Sequence, residues 1–76
     1  MADLKGVDLS YMCLVGCDFT NADLEGANLE GADLYNAKLK GANLRNDRLL
    51  NAKMKNTDIG AANTDGADFT GTIYAD

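Results

Sequence analysis

Large apolar residues recur at every fifth position along the whole chain. Of 15 such positions, only the one held by Thr64 lacks a large apolar side chain. The positions are Leu4, Leu9, Leu14, Phe19, Leu24, Leu29, Leu34, Leu39, Leu44, Leu49, Met54, Ile59, Thr64, Phe69 and Tyr74. A period this regular over 76 residues indicates a repeat architecture rather than a mixture of conventional helices and strands.

The residues around each large position also follow a rule. The small position, two residues before it, holds a small side chain in 13 of 15 repeats, with Met12 and Asp47 as exceptions. The Asx position, directly before it, holds Asp or Asn in 10 of 15 repeats. The variable position follows the large one, and the corner position after that holds Gly or Asn in 12 of 15. The unit is therefore five residues long, and residues 22–46 carry it in its purest form.

A period of five fits neither a continuous helix nor a continuous strand. In a helix of 3.6 residues per turn, positions five apart spread around the surface. In a strand, whose side chains alternate with period two, they fall on opposite faces. Both conflicts disappear if each unit is a very short extended segment followed by a corner, where Gly or Asn tolerates a positive φ. The small and large side chains then point inward, and the Asx and variable side chains point outward.

The tandem motif of a small residue, Asp or Asn, Leu or Phe, a variable residue and Gly resembles the pentapeptide-repeat family, from residue 2 to about 75. The resemblance implies an all-β fold, a right-handed quadrilateral β-helix with four five-residue units in each square coil. Fifteen units then make just under four coils. We expect residues 1–76 to form this single domain without a separate capping helix, and residues 20 apart to stack in columns.

Stacking in columns predicts which side chains are inside. The first coil should be overfilled, because its small positions hold Val7, Met12 and Cys17. Asp47 also occupies an inward position, where an unpaired carboxylate costs several kcal/mol. Either backbone amides of a corner satisfy it, or the coil bulges and turns it outward with help from Arg48. We expect the core to contain Leu24, Leu29, Leu34 and Leu39 beside Ala22, Ala27, Ala32 and Ala37.

Composition argues against several classes of function. The 7 basic and 12 acidic residues give a net charge of −5, whereas direct binding to nucleic acid needs a surplus of cations. The chain has no histidine, the commonest general base and metal ligand. We therefore expect no enzyme activity, no cofactor and no metal. No apolar run is long enough for a membrane span, and two cysteines without a disulfide framework favour a cytoplasmic location.

The excess negative charge falls on two adjacent sides of the predicted coil, and we expect these carboxylates to point into solvent. Six of the seven basic residues lie between residues 38 and 55, as a basic band across the acidic rod. The candidate partner-binding residues are Asp3, Asp8, Asp23, Glu25, Glu30, Asp65 and Asp68.

A narrow rod lined with carboxylates can present negative charge to a protein groove that normally holds phosphates. Several pentapeptide-repeat proteins are understood as DNA mimics, including those that bind DNA gyrase and confer fluoroquinolone resistance. The resemblance implies an inhibitor or modulator of a nucleic-acid-binding machine, with a gyrase-like topoisomerase as the family precedent. The small size and acidity of the chain also favour a phage-encoded inhibitor of a CRISPR-Cas defence complex (an anti-CRISPR). The start at Met1, directly before the repeat, favours a self-standing product. The alternative is a passive scaffold module whose charge serves solubility.

Two apolar surfaces are further candidates for protein contacts. Val15 and Tyr35 are 20 residues apart in variable positions of the third side, where the neighbouring side chains are polar. Aromatic residues on otherwise polar surfaces are frequent anchors of protein interfaces. At the end of the repeat, Phe69, Ile73 and Tyr74 present an uncapped last coil. We expect this end to form a homodimer.

Overall fold

The computed structural model describes residues 3–74, and its organising feature is a parallel backbone pairing between residues 20 apart. Each paired segment is a single bridged residue in the Asx position, and residues 3–74 contain neither a helix nor a longer strand. We call the 20 residues between bridged partners a coil. The bridges are Asp3–Asp23, Asp8–Asn28, Cys13–Asp33, Asp18–Lys38, Asp23–Asn43, Asn28–Arg48, Asp33–Lys53, Lys38–Asp58, Asn43–Asn63, Arg48–Asp68 and Lys53–Ile73.

Every backbone N–H of a typical five-residue unit has an acceptor. In residues 27–31, three N–H groups bond to the coils before and after, one closes a turn, and one bonds to the Asx side chain. Buried backbone donors need such partners, because leaving one unpaired costs about as much as a lost hydrogen bond. The acceptors for Ala27, Asn28, Leu29, Glu30 and Gly31 are, in order, the carbonyls of Leu24, Val7 and Arg48, the Asn28 side chain and the Leu50 carbonyl.

Each unit ends in a tight turn at the corner position. The N–H of the next small position donates to the carbonyl of the large residue, as Ala27 does to Leu24 at 2.9 Å. The corner residues of residues 3–74 all have φ between +58° and +73°, the left-handed conformation that a type II turn requires at its third residue. Gly and Asn adopt it readily. Tyr11 and Ala61 adopt it without that advantage.

The corner columns explain why a Gly follows an Asn one coil later at three corners. An Asn side chain at one corner covers the corner one coil later, so the space for a Cβ there is already filled. Asn21 lies this way over Gly41, and Asn46 lies over Gly66. The ring of Tyr11 covers Gly31 in the same manner. These glycines are therefore needed twice, for their positive φ and for their missing side chain.

The predicted core is confirmed in its middle and corrected at its ends. The large and small positions of residues 22–54 are buried, including all four predicted leucines and all four predicted alanines. Asp47 is buried among them. Met12 is 50% exposed, so it does not overfill the first coil, and Tyr74 is 59% exposed. Residues 3–74 include no helix that could cross a membrane.

Replacing Ala32 with Leu should destabilise the fold. Ala32 is fully buried beside Leu29 and Leu34, so three added carbons must displace well-packed neighbours at a cost of ~1–3 kcal/mol. Urea denaturation measures the difference, and Lys40→Leu, on the exposed surface, is the control for added hydrophobicity. An Ala32→Leu midpoint equal to that of the parent would show that the side chain does not point into a filled interior.

Two glycine substitutions separate backbone strain from steric exclusion. Gly26 and Gly41 both have φ of +70°, but a Cβ meets nothing within 4 Å at Gly26 and overlaps the Asn21 side chain at Gly41. Gly26→Ala should therefore cost only the left-handed strain of about 1–2 kcal/mol. Gly41→Ala should cost more, because Asn21 must also move. Thermal denaturation compares the two, and equal losses would refute the corner-column packing.

Candidate functional site

The Asp and Asn residues that form the outer faces have a structural role. At every Asx position in residues 3–74 that holds Asp or Asn, the side-chain Oδ1 accepts the N–H of the residue two positions later, at 2.9–3.3 Å. This local bond satisfies an amide that the coil-to-coil ladder does not use. The residues are Asp3, Asp8, Asp18, Asp23, Asn28, Asp33, Asn43, Asp58, Asn63 and Asp68.

This bond requires an oxygen and not a charge. Asn28, Asn43 and Asn63 make it with an amide oxygen in the same geometry as the seven aspartates. Most of the acidic residues on the surface are therefore placed by the fold, while their negative charge is an addition that the fold does not need. The sequence pattern showed the preference for Asp or Asn, but it did not reveal this hydrogen bond.

The first acidic face is partly neutralised where its carboxylates meet. Asp23 stacks on Asp3, and its Oδ2 lies 3.6 Å from Lys5 Nζ. The side-chain amide of Asn43 donates to Asp23 Oδ1 at 3.2 Å and lies 3.5 Å from Glu25 Oε1. The Asp23 side chain is only 17% exposed, and Glu25 is also partly buried. The expectation that both point freely into solvent is therefore wrong, because donors from adjacent coils cover them.

The second acidic face contains a three-residue network. Glu30 accepts a hydrogen bond from the Tyr11 hydroxyl at 3.0 Å and forms an ion pair with Arg48 at 3.2 Å. Glu30 is 28% exposed, which again corrects the expected projection into solvent. The neighbouring carboxylate also raises the pKa of Tyr11. Arg48 thus serves Glu30 on the outside and does not assist Asp47.

The exposed carboxylates of the predicted set lie at the two ends of the stack. Asp3 and Asp8 are exposed in the first coil, and Asp65 and Asp68 are exposed near the other end. Between the ends, the same two sides carry Asn43, Arg45 and Arg48. The acidic faces are therefore not one continuous strip. They form two clusters separated by the basic band.

Hydroxyl groups hold three of the exposed aspartates in their charged form. Asp8, Asp18 and Asp68 accept hydrogen bonds of 2.6 Å from Ser10, Thr20 and Thr70, respectively. These hydroxyls and the amides of the same residues lower the pKa of the three carboxyl groups. A lowered pKa contributes stability above the ordinary value, and that contribution is lost as the pH falls through the folded-state pKa. The three charges therefore persist at neutral and mildly acidic pH.

The predicted apolar surfaces are exposed to different degrees. Val15 is exposed and Tyr35 is partly buried, and the bridge between Cys13 and Asp33 brings their sides together. Lys55 Nζ lies 5.6 Å from the centre of the Tyr35 ring, so a cation covers part of this aromatic surface. Near the other end, Phe69 is partly buried, while Ile73 and Tyr74 are exposed.

The buried carboxyl group of Asp47 follows the first alternative considered above only in part, because a backbone amide bonds one of its two oxygens. Its Oδ1 accepts the Ala27 N–H at 2.9 Å, while the neighbouring Gly26 N–H donates to the Arg45 carbonyl at 2.8 Å. Burial raises the pKa of Asp47 to about 7, with smaller contributions from the charges of Asp23 and Glu25, while the two amides act in the opposite direction. The coil does not turn this side chain out.

No arrangement for metal binding occurs within residues 3–74. Cys13 is exposed, Cys17 is partly buried, and both are free thiols. No group of three or more potential metal-ligating side chains comes together in the described part of the chain. What the outer faces offer instead is charge and hydrogen-bonding groups.

Comparison with known proteins gives a consistent family. A model of pentapeptide repeats matches residues 2–41 with eight copies. A pentapeptide repeat protein from Nostoc PCC 7120 is 38% identical with a TM-score of 0.85, and the match covers 87% of this chain and 55% of that one. A second, from Cyanothece 51142, is 35% identical with a TM-score of 0.59, over 96% and 54% of the two chains.

A third solved relative is a pentapeptide repeat protein from the thylakoid lumen of Arabidopsis thaliana. It is 29% identical with a TM-score of 0.52, and the match covers 93% of this chain and 63% of the relative. The chain thus spans about half to two thirds of the length of these solved relatives. No curated protein matches it in sequence.

Proposed function

Because the chain belongs to the pentapeptide-repeat family, we propose that it forms the right-handed quadrilateral β-helix of that family, with just under four coils. The 20-residue spacing of the bridges and the turn at every fifth residue support this. Proteins of the family are generally non-enzymatic structural or interaction modules. In our proposal this chain is likewise a binding protein and not an enzyme.

We further propose that the protein binds, as a DNA mimic, a partner that normally holds nucleic acid. The observation that carries this proposal is the excess of Asp over Asn at the Asx positions, although either residue makes the same hydrogen bond there. Seven of these ten positions hold Asp, although the fold requires only an oxygen. On the two acidic faces, the exposed carboxylates are those of Asp3, Asp8, Asp65 and Asp68.

The burial of the remaining acids narrows the predicted binding set. Asp23, Glu25 and Glu30 are all partly covered. Lys5 and Arg48 compensate the charges of Asp23 and Glu30, whereas Glu25 has only the neutral Asn43 amide beside it. The exposed carboxylates at the two ends would make first contact with a cationic groove. Exposed charges act mainly by accelerating encounter, because individual exposed pairs contribute only ~0–1 kcal/mol. Candidate partners are a gyrase-like topoisomerase and a CRISPR-Cas defence complex.

A passive scaffold is the second candidate, and the internal pairing favours it. The Lys5–Asp23 and Arg48–Glu30 ion pairs use acidic side chains within the protein itself. The basic band divides the negative surface, which departs from the uniform charge of a phosphate backbone. In this reading the charge serves solubility. The cytoplasmic location and the homodimer through Phe69, Ile73 and Tyr74 remain predictions.

The triple variant Asp8→Asn, Asp65→Asn, Asp68→Asn tests mimicry without disturbing the fold. Asn retains the oxygen that caps the turn at residues 8 and 68, and Asp65 is exposed. Binding to purified DNA gyrase and to a CRISPR surveillance complex is measured by surface plasmon resonance at low and physiological salt. Where the parent binds, the variant should bind about tenfold more weakly, mainly through slower association. DNA should compete with the parent.

The matched control is Asp18→Asn, Asp33→Asn, Asp58→Asn, which removes the same charge from the other two sides and keeps the same hydrogen bonds. This control should bind nearly as well as the parent. Equal weakening by both triple variants would contradict the assignment to two faces. Unchanged binding by the first triple variant, together with loss of binding in Val15→Ser, Tyr35→Ser, would reject mimicry and identify the apolar surface as the site.

A further inference from the structure

Asp47 is a buried carboxyl group with only one of its oxygens bonded. It stands in a column of small positions with Val7, Ala27 and Ala67, and it is 1% exposed. Its Oδ1 accepts the Ala27 N–H, whereas Oδ2 has no hydrogen-bond partner. An ionised carboxylate with an unpaired buried oxygen is strongly disfavoured. The proton state of this group therefore requires an explanation.

Two threonines in small positions indicate what such a side chain does when it carries a proton. The Thr57 hydroxyl donates to the Leu34 carbonyl at 2.6 Å. The Thr72 hydroxyl has the Phe69 carbonyl at 2.5 Å as its nearer acceptor and lies 3.3 Å from the Leu49 carbonyl. In both pairs the acceptor lies 23 residues earlier and also receives the N–H that closes its own turn. The Thr57 hydroxyl thus shows that a proton donor in a small position can reach the second lone pair of a turn carbonyl in the preceding coil.

The same register assigns Leu24 to Asp47. The Leu24 carbonyl lies 23 residues before Asp47 and accepts the Ala27 N–H at 2.9 Å, which leaves one lone pair as in the two threonine sites. We propose that Asp47 is protonated in the folded protein, and that its Oδ2–H donates to the Leu24 carbonyl while Oδ1 accepts from Ala27. The carboxylic acid then satisfies both its oxygens inside the coil. The proposal is independent of the proposed function.

The surrounding charges favour the neutral form. Asp23 and Glu25, from the preceding coil, both act against a negative charge on Asp47. On the same coil, the Arg48 guanidinium is paired with Glu30. In the following coil, Asp68 donates its backbone N–H to the Asp47 carbonyl, while its side chain bonds to Thr70 on the outside. None of these contacts supplies a cation to Asp47.

Protonation of Asp47 makes the stability of the coil depend on pH. In the unfolded chain the group ionises near its ordinary value of 3.8, whereas the pKa in the folded protein is raised to about 7. The folded state therefore binds more protons between these values, and stability falls as the pH rises through this window. Above pH 7 the full loss is reached, because the carboxylate is charged in both states. The exposed aspartates with lowered pKa have the opposite sign and act in stronger acid.

The test compares the parent with Asp47→Asn between pH 5 and pH 8.5. The Asn amide can donate to Leu24 and accept from Ala27 at every pH, so it reproduces the protonated acid. The unfolding constant of the parent should rise about a hundredfold over this range from the Asp47 proton alone. That of the variant should lack this rise, so the variant should be the more stable protein at pH 8.5. Urea denaturation at each pH measures both.

Asp58→Asn is the control for net charge, since it removes an exposed carboxylate that caps Gly60. It should keep the pH dependence of the parent. Side-chain carboxyl ¹³C NMR of the parent gives a second readout that needs no variant, and at pH 5.5 the Asp47 carboxyl should still be protonated. An ionised Asp47 at that pH, or parallel pH profiles for the parent and Asp47→Asn, would overturn the proposal.

Discussion

The structure depends on one constraint, that a backbone turning a corner every five residues must still bond the amides that it buries. Coil-to-coil bonds serve the Asx, large and corner positions, the turn bond serves the small position, and the Asx side chain serves the variable position. Because each single-residue bridge joins residues 20 apart, every unit must reproduce the geometry of the unit below. The five-residue period of the sequence follows from this condition.

The core and the surface follow from the same geometry. Two inward positions per unit, one small and one large, fill the interior with columns of Ala and Leu. The Asx and variable positions of each unit point outward. The Asx position must hold Asp or Asn wherever its side chain caps the turn. Charge can therefore be added to the outer faces by choosing Asp over Asn without altering the backbone. This freedom lets the same backbone carry outer faces of different charge.

Much of this arrangement could be predicted from the sequence, since the period alone places Leu34 and Ala32 inside and Asp47 beside them. The burial of Asp23 and Glu30 could not be, because it depends on donors from Lys5, Asn43 and Arg48 in neighbouring coils. The columns do place these residues side by side, but the net charge of a face does not show which of its side chains are bonded to one another. The exposure of Met12 was missed because the five-residue pattern places every small position inside, whatever the size of the side chain that stands there.

Amide hydrogen exchange, measured residue by residue, tests most directly whether Asp and Asn stand beside the large residues to cap the turn. Glu30 and Tyr35 donate their N–H groups to Asn28 and Asp33. The corresponding side chains before Lys40 and Leu50 are Lys38 and Arg48, which have no acceptor to offer. The account predicts slower exchange for the amides of Glu30 and Tyr35 than for those of Lys40 and Leu50. Equally fast exchange at all four would contradict it.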